Sequence, residues 1–234
     1  MRSNLLVGIS SAVAAVAVAG SANAAVVWQT FDSLATAANA GAVSSTAPNT
    51  TFLSAQSSVS ITADSWSINR LLIAEEAQSR MQVTSSTAIF TSGKGPSTTY
   101  SLPGVPPFTV PGNDGKARIE YQSFGTRNLA GFQFRLNVTG VTNGGGSLTA
   151  KLSDGVNTFT LANFVSATGY QTFDFSSEVG LSAIKSIAFE FVGANATFGA
   201  TRSVTVSGIQ YVPAPGAAAL VGLAGLVGGR RRKA

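Results

Sequence analysis

The chain has 234 residues, 44% of them hydrophobic and 11% charged, with neither cysteine nor histidine. The missing cysteine excludes a disulfide framework and a thiol nucleophile, and the missing histidine removes the commonest general base and every His-containing triad. The formal charge of +5 resides at the ends, on Arg2 and on Arg230, Arg231, Arg232 and Lys233; the ten cations and ten carboxylates from Ala25 to Tyr211 cancel, which leaves no electrostatic footprint for nucleic acid.

Met1–Ala24 reads as a signal peptide, expected to form a signal helix. Arg2 is the positive n-region, Leu5–Ala19 the apolar core, and Ala22-Asn23-Ala24 a small-x-small site at which signal peptidase would leave Ala25 as the first residue. The body, 25–211, is expected to be one domain. Val26–Phe31 is a predicted strand, and Ser58–Ile68, with Val59, Ile61 and Ala63 alternating, another. Ile68–Met81 is ambiguous: Leu71, Leu72 and Ile73 suit a buried strand, while Glu75-Glu76-Ala77-Gln78 suits a helix. Strand is the preferred reading and a short helix the alternative. Thr91–Lys116 holds five of the eight prolines, and proline does not sit in a central strand, so a long surface loop is expected.

From Lys116 to Tyr211 the pattern is short alternating runs. Phe132, Phe134, Leu136 and Val138 share one face, with Gln133, Arg135, Asn137 and Thr139 on the other. Leu148, Ala150 and Leu152 form a second run, and Asp154-Gly155 separates it from Phe159 and Leu161, which predicts a hairpin with a type I′ turn. Phe173/Phe175 and Ile187/Phe189/Phe191 follow. In the last run Val204 and Val206 share one parity and Ile209 and Tyr211 the other, which predicts a bulge at Ser207-Gly208. These runs and their Gly-rich turns predict an all-β fold, an antiparallel β-sandwich of jelly-roll-like form, with the phenylalanines as its core.

Residues 212–234 form a tail in three parts. Val212-Pro213-Ala214-Pro215 precedes the apolar run Ala217–Val227, expected to be a short hydrophobic helix, and the basic cluster Arg230, Arg231, Arg232, Lys233 closes it. About 20 apolar residues span a bilayer, so this helix is a marginal anchor; the basic cluster places the C-terminus on the cytoplasmic side. This order resembles the PEP-CTERM sorting signal of Gram-negative bacteria. Pro213 and Pro215 match the family's two prolines, and Ala214 stands where the family has Glu. The resemblance implies an exosortase-like membrane protease as partner, a membrane-held intermediate at the inner membrane, and delivery to the cell surface or extracellular matrix in association with extracellular polysaccharide.

The body offers few candidates for chemistry. Glu75-Glu76 is the one adjacent carboxylate pair, but strand neighbours face opposite ways. Asn113-Asp114-Gly115 and Asp154-Gly155 carry oxygen ligands suited to a structural Ca²⁺, yet both read as turns; no cofactor or catalytic residue is assigned. Asn137-Val-Thr139 and Asn195-Ala-Thr197 match the glycosylation triplet by chance in a Thr-rich chain. Trp28, Trp66, Tyr100, Tyr121, Tyr170 and Tyr211 are the aromatics able to stack on sugar rings, with Tyr100 expected to be exposed. The expected function is that of a non-enzymatic exported surface or matrix protein. The alternative is a carbohydrate-binding jelly-roll module, which predicts two or more exposed aromatics clustered on one sheet face or loop rim. A third reading, a glycosidase or lyase, needs two carboxylates facing each other across a cleft, roughly 5–10 Å apart.

Overall fold

A computed structural model describes residues 28–34, 41–45, 54–63, 66–76, 78–84, 86–101, 103–194 and 199–212. The signal peptide, its cleavage residues Ala22, Ala24 and Ala25, and the tail from Pro213 onward, including the helix expected at each end, lie outside the described residues.

The described chain is almost entirely antiparallel β-structure. Its strands are β1 (Gln29–Asp32), β2 (Gly41–Ser45), β3 (Ser54–Ala63), β4 (Trp66–Glu75), β5 (Ser79–Val83), β6 (Ala88–Ser92), β7 (Thr98–Tyr100), β8 (Phe108–Val110), β9 (Lys116–Gln122), β10 (Gln133–Thr142), β11 (Gly146–Ser153), β12 (Thr158–Val165), β13 (Gly169–Asp174), β14 (Ser186–Gly193) and β15 (Arg202–Val212). Among the described residues, one sheet has seven strands in the order β13-β10-β15-β6-β5-β2, with β1 also paired to β15. A second has six in the order β12-β11-β14-β9-β4-β3. The sheets share one core, to which both contribute their inward parity: Phe134, Leu136 and Val138 from β10 meet Ile187, Phe189 and Phe191 from β14. Phe134 is the hub, with edge-to-face contacts to Phe31, Phe175 and Phe189 at 5.9, 6.5 and 6.0 Å. Each such pair is worth about 0.5–1.5 kcal/mol beyond the area it buries. Two sheets with a common interior make this a β-sandwich.

Ile68–Met81 is strand, β4 followed by β5, broken at a bend where Glu76 has φ 64°. The Ser58–Ile68 run is not one strand. It crosses from β3 to β4, which pair in a hairpin from Ala63↔Trp66 outward. The bulge at Ser207-Gly208 is present: Leu136↔Ile209 and Val138↔Val206 are successive pairs on β10, so β15 carries one residue more than its partner. Asp154-Gly155 does join a hairpin, but through a longer turn than type I′. Ser153 pairs with Thr158, and Asp154 Oδ1 accepts the backbone N–H groups of Val156 (2.7 Å) and Asn157 (2.6 Å). The carboxylate thus does the work that a second positive-φ residue would do in the shorter turn.

The proline-rich segment contains a hairpin of its own. Lys94 and Asp114 bridge its base, and β7 and β8 pair at its tip, apart from both main sheets. Two-stranded ribbons tolerate proline because their outer edges need no donors, which is how the segment combines prolines with strand pairing.

Candidate functional site

The outer face of the seven-stranded sheet gathers residues from four neighbouring strands. On β10, alternation turns Arg135 and Asn137 outward opposite the buried Phe134 and Leu136. Register then sets their neighbours: Asn137 lies across from Tyr170 on β13, Arg135 across from Gln210 on β15, and Gln210 in turn across from Thr30 on β1. Trp28 lies two residues before Thr30 and reaches the same face. The result is a three-layer stack. The Arg135 guanidinium carbon is 4.1 Å from the centroid of the Trp28 ring and 4.1 Å from that of Tyr170. Each contact of this kind contributes about 0.5–1 kcal/mol when exposed and about 2 when shielded from water. Arg135 Nε donates to Gln210 Oε1 at 2.6 Å, which fixes the guanidinium in its plane.

Beside the stack is a shallow depression of about 180 Å³, lined by Thr30, Ser33, Asn137, Tyr170, Ser207 and Gln210. The bulge at Ser207-Gly208 helps make it: the extra residue brings the Ser207 hydroxyl to the Asn137 Nδ2, which donates to it at 2.7 Å. Tyr170 is 55% exposed. A ring open to solvent beside amide and hydroxyl groups offers an apolar platform rimmed by donors and acceptors.

The β7–β8 hairpin holds a second aromatic pair. Tyr100 and Phe108 stack at 5.4 Å and 19°, both exposed. The sequence placed Tyr100 at the surface but did not pair it with Phe108.

The carboxylates are distributed differently. Glu75, Glu120 and Glu190 gather on the outer face of the six-stranded sheet around Arg118, at 3.0, 3.3 and 3.6 Å, and Lys151 closes on Glu190 at 2.8 Å. They lie side by side on adjacent strands, each bound to a cation, as a charge ladder on one face. Glu75 and Glu76 do not share a site: Glu75 meets Arg118, and Glu76 is buried in the bend after β4. Asp114 pairs with Lys94 at 3.6 Å. Asp154 is held below the usual carboxylate range by the backbone N–H groups of Asn157 and Val156, and Asp174 by the Ser176 hydroxyl and backbone N–H. Among the described residues no group of three or more Asp or Glu could hold a metal ion.

Asp32 is a carboxylate in the core. Its Oδ2 accepts Arg70 Nη1 at 2.9 Å and the Tyr121 hydroxyl at 2.8 Å, and its Oδ1 accepts the backbone N–H of Leu34 at 2.8 Å. Burial, then the Asp32 charge, drives the Tyr121 pKa well above the ordinary phenol value. Of the remaining aromatics, Tyr211 is buried against Phe31 and Phe132. Trp66 opens β4, but its side chain is outside the described residues, as are Asp64 and Asn195. Val212, the first residue of the tail motif, is the last of β15.

The chain matches no protein-family model and no curated protein. Among solved structures it is similar to a family 11 carbohydrate-binding module from Clostridium thermocellum in complex with a β-1,3-1,4-mixed-linked tetrasaccharide, at 13% identity and TM-score 0.35, over 80% of this chain and 96% of that one. It is also similar to the xyloglucanase domain of NopAA from Sinorhizobium fredii in complex with cellobiose, at 10% identity and TM-score 0.35, over 73% and 98%. Against PfGH50B the identity is 9% and the TM-score 0.33, and the chain spans 23% of that protein. Likeness this loose assigns no site to this chain. What its own geometry defines is an antiparallel β-sandwich with an aromatic and cationic stack on one outer sheet face.

Proposed function

We propose that this chain is an exported, non-enzymatic glycan-binding protein built on a jelly-roll-type sandwich. The observation that carries the reading is the Trp28–Arg135–Tyr170 stack beside a depression lined by amides and hydroxyls. A pyranose ring has an apolar face and a polar rim. An exposed tyrosine ring answers the first, and Asn137, Gln210, Ser207 and Thr30 answer the second. Delivery is assigned to the two ends. Signal peptidase removes Met1–Ala24, and the tail at Val212–Ala234 holds the protein in the inner membrane for an exosortase-like protease before it reaches the surface or matrix.

The test is affinity electrophoresis of the full-length chain through gels carrying soluble polysaccharides, neutral and acidic. Retardation by at least one is expected. Tyr170→Ala and Trp28→Ala should each weaken it roughly tenfold, about 1.4 kcal/mol, while Tyr100→Ala on the separate hairpin leaves it intact. No retardation by any polymer, or retardation indifferent to both Trp28 and Tyr170, would sink the reading.

A further inference from the structure

Among the described residues, four cations of the body are neutralised where they stand. Arg70 has Asp32, Lys94 has Asp114, Arg118 has three glutamates, and Lys151 has Glu190. Arg135 is treated differently. Among the described residues no carboxylate is within ion-pairing distance of it. Its planar faces are covered by Trp28 and Tyr170, and its Nε edge is taken by Gln210. The two terminal nitrogens remain, with their N–H groups directed away from the stack by the planarity of the guanidinium. The surroundings do not cancel the charge. By strand parity the described residues of this sheet face bring Arg135, Arg80 and one carboxylate, Asp174, and Asp174 is engaged by Ser176 at 2.9 Å.

We infer that the glycan bound here is acidic: a polysaccharide whose carboxylate sits on the Arg135 terminal nitrogens while a neighbouring sugar ring lies on Tyr170. The inference rests on the glycan-binding reading of the same face and names its ligand class. Two covering rings exclude water from the guanidinium faces, so the exposed edge acts in a lower dielectric than a free surface arginine would. A guanidinium edge and a carboxylate match as two parallel hydrogen bonds, which fixes the orientation of the sugar as well as drawing it in. Charge contacts of this type weaken with salt.

The experiment compares each acidic polymer with its own neutral counterpart. Alginate, polygalacturonate and hyaluronan, and the carboxyl-reduced form of each, are titrated into the full-length chain at about 50 and 500 mM NaCl, on either side of the ionic strength at which the screening length is about 10 Å. At least one acidic polymer should bind tenfold or more tightly than its reduced form, and the preference should shrink in high salt. Arg135→Gln should abolish the preference. Gln210→Glu should do the same with the stack in place, because it sets a carboxylate against the guanidinium, and it serves if the first variant does not fold. Equal binding of all three pairs, or a preference that survives both variants in folded protein, overturns the acidic ligand and leaves the glycan reading standing. Absence of binding to these polymers and to the neutral panel overturns both.

Discussion

Arg70 occupies an inward position of β4, between Ile68 and Leu72, and is 1% exposed. It is tolerable there because Asp32 pairs with it, while Tyr121 donates to the same carboxylate oxygen. Taking away one member of such a centre is worse than never having built it. Arg70→Ala is therefore expected to cost about 3–5 kcal/mol in urea unfolding, by leaving Asp32 charged and buried, whereas Tyr121→Phe should cost only about 1.5–3. The raised Tyr121 pKa adds a pH dependence. Below about pH 10 the phenol is neutral in both states. Above it the unfolded chain ionises first, so stability falls as pH rises toward the folded-state value, and Tyr121→Phe should remove that part of the alkaline loss. The sequence carried one signal for this centre, an arginine on the apolar parity of a strand. Its partners were hidden, because Asp32 and Tyr121 lie 38 and 51 positions away on strands whose adjacency no local pattern encodes.

Turns show how unequal two glycines can be. Gly145, between β10 and β11, has φ 70°, and a Cβ there would fall 1.7 Å from the Val165 carbonyl oxygen. At Gly208, in the bulge of β15, a Cβ would meet only the Asp32 carbonyl at 3.8 Å, and φ is not in the left-handed region. Gly145→Ala should lower stability by at least about 1–2 kcal/mol from the backbone conformation alone, with the clash added; Gly208→Ala should stay within about 0.5 kcal/mol. Thermal denaturation of the two variants separates these outcomes. The bulge itself was readable because it reverses a parity, and parity is what a strand writes into its residues. So were β10, β11 and β14, whose buried apolar residues recur at every second position: Phe134, Leu136 and Val138; Leu148, Ala150 and Leu152; Ile187, Phe189 and Phe191. The β7–β8 hairpin was not, since prolines mask a ribbon that needs no buried face. The Trp28–Arg135–Tyr170 stack was not either. Alternation says that Arg135 points outward, but only the order β13-β10-β15-β1 says what stands on each side of it.

At the scale of the molecule, the formal charge is concentrated at the two ends and the body between them is neutral. The last described strand ends at Val212, where the tail motif begins, so removing 213–234 should leave the unfolding transition of the body unchanged while altering where the protein is found in its native cell. Fractionation paired with circular dichroism of the truncated chain checks both halves of that statement. The position of β15 carries a further consequence. It pairs with β10, β6 and β1, so the last described strand is the keystone of a sheet whose other described members come from the whole length of the body. Pairings between such distant segments form late and slowly. Because a chain is synthesised N-terminus first, the seven-stranded sheet stays open until its keystone emerges, and the polypeptide remains pliable until then.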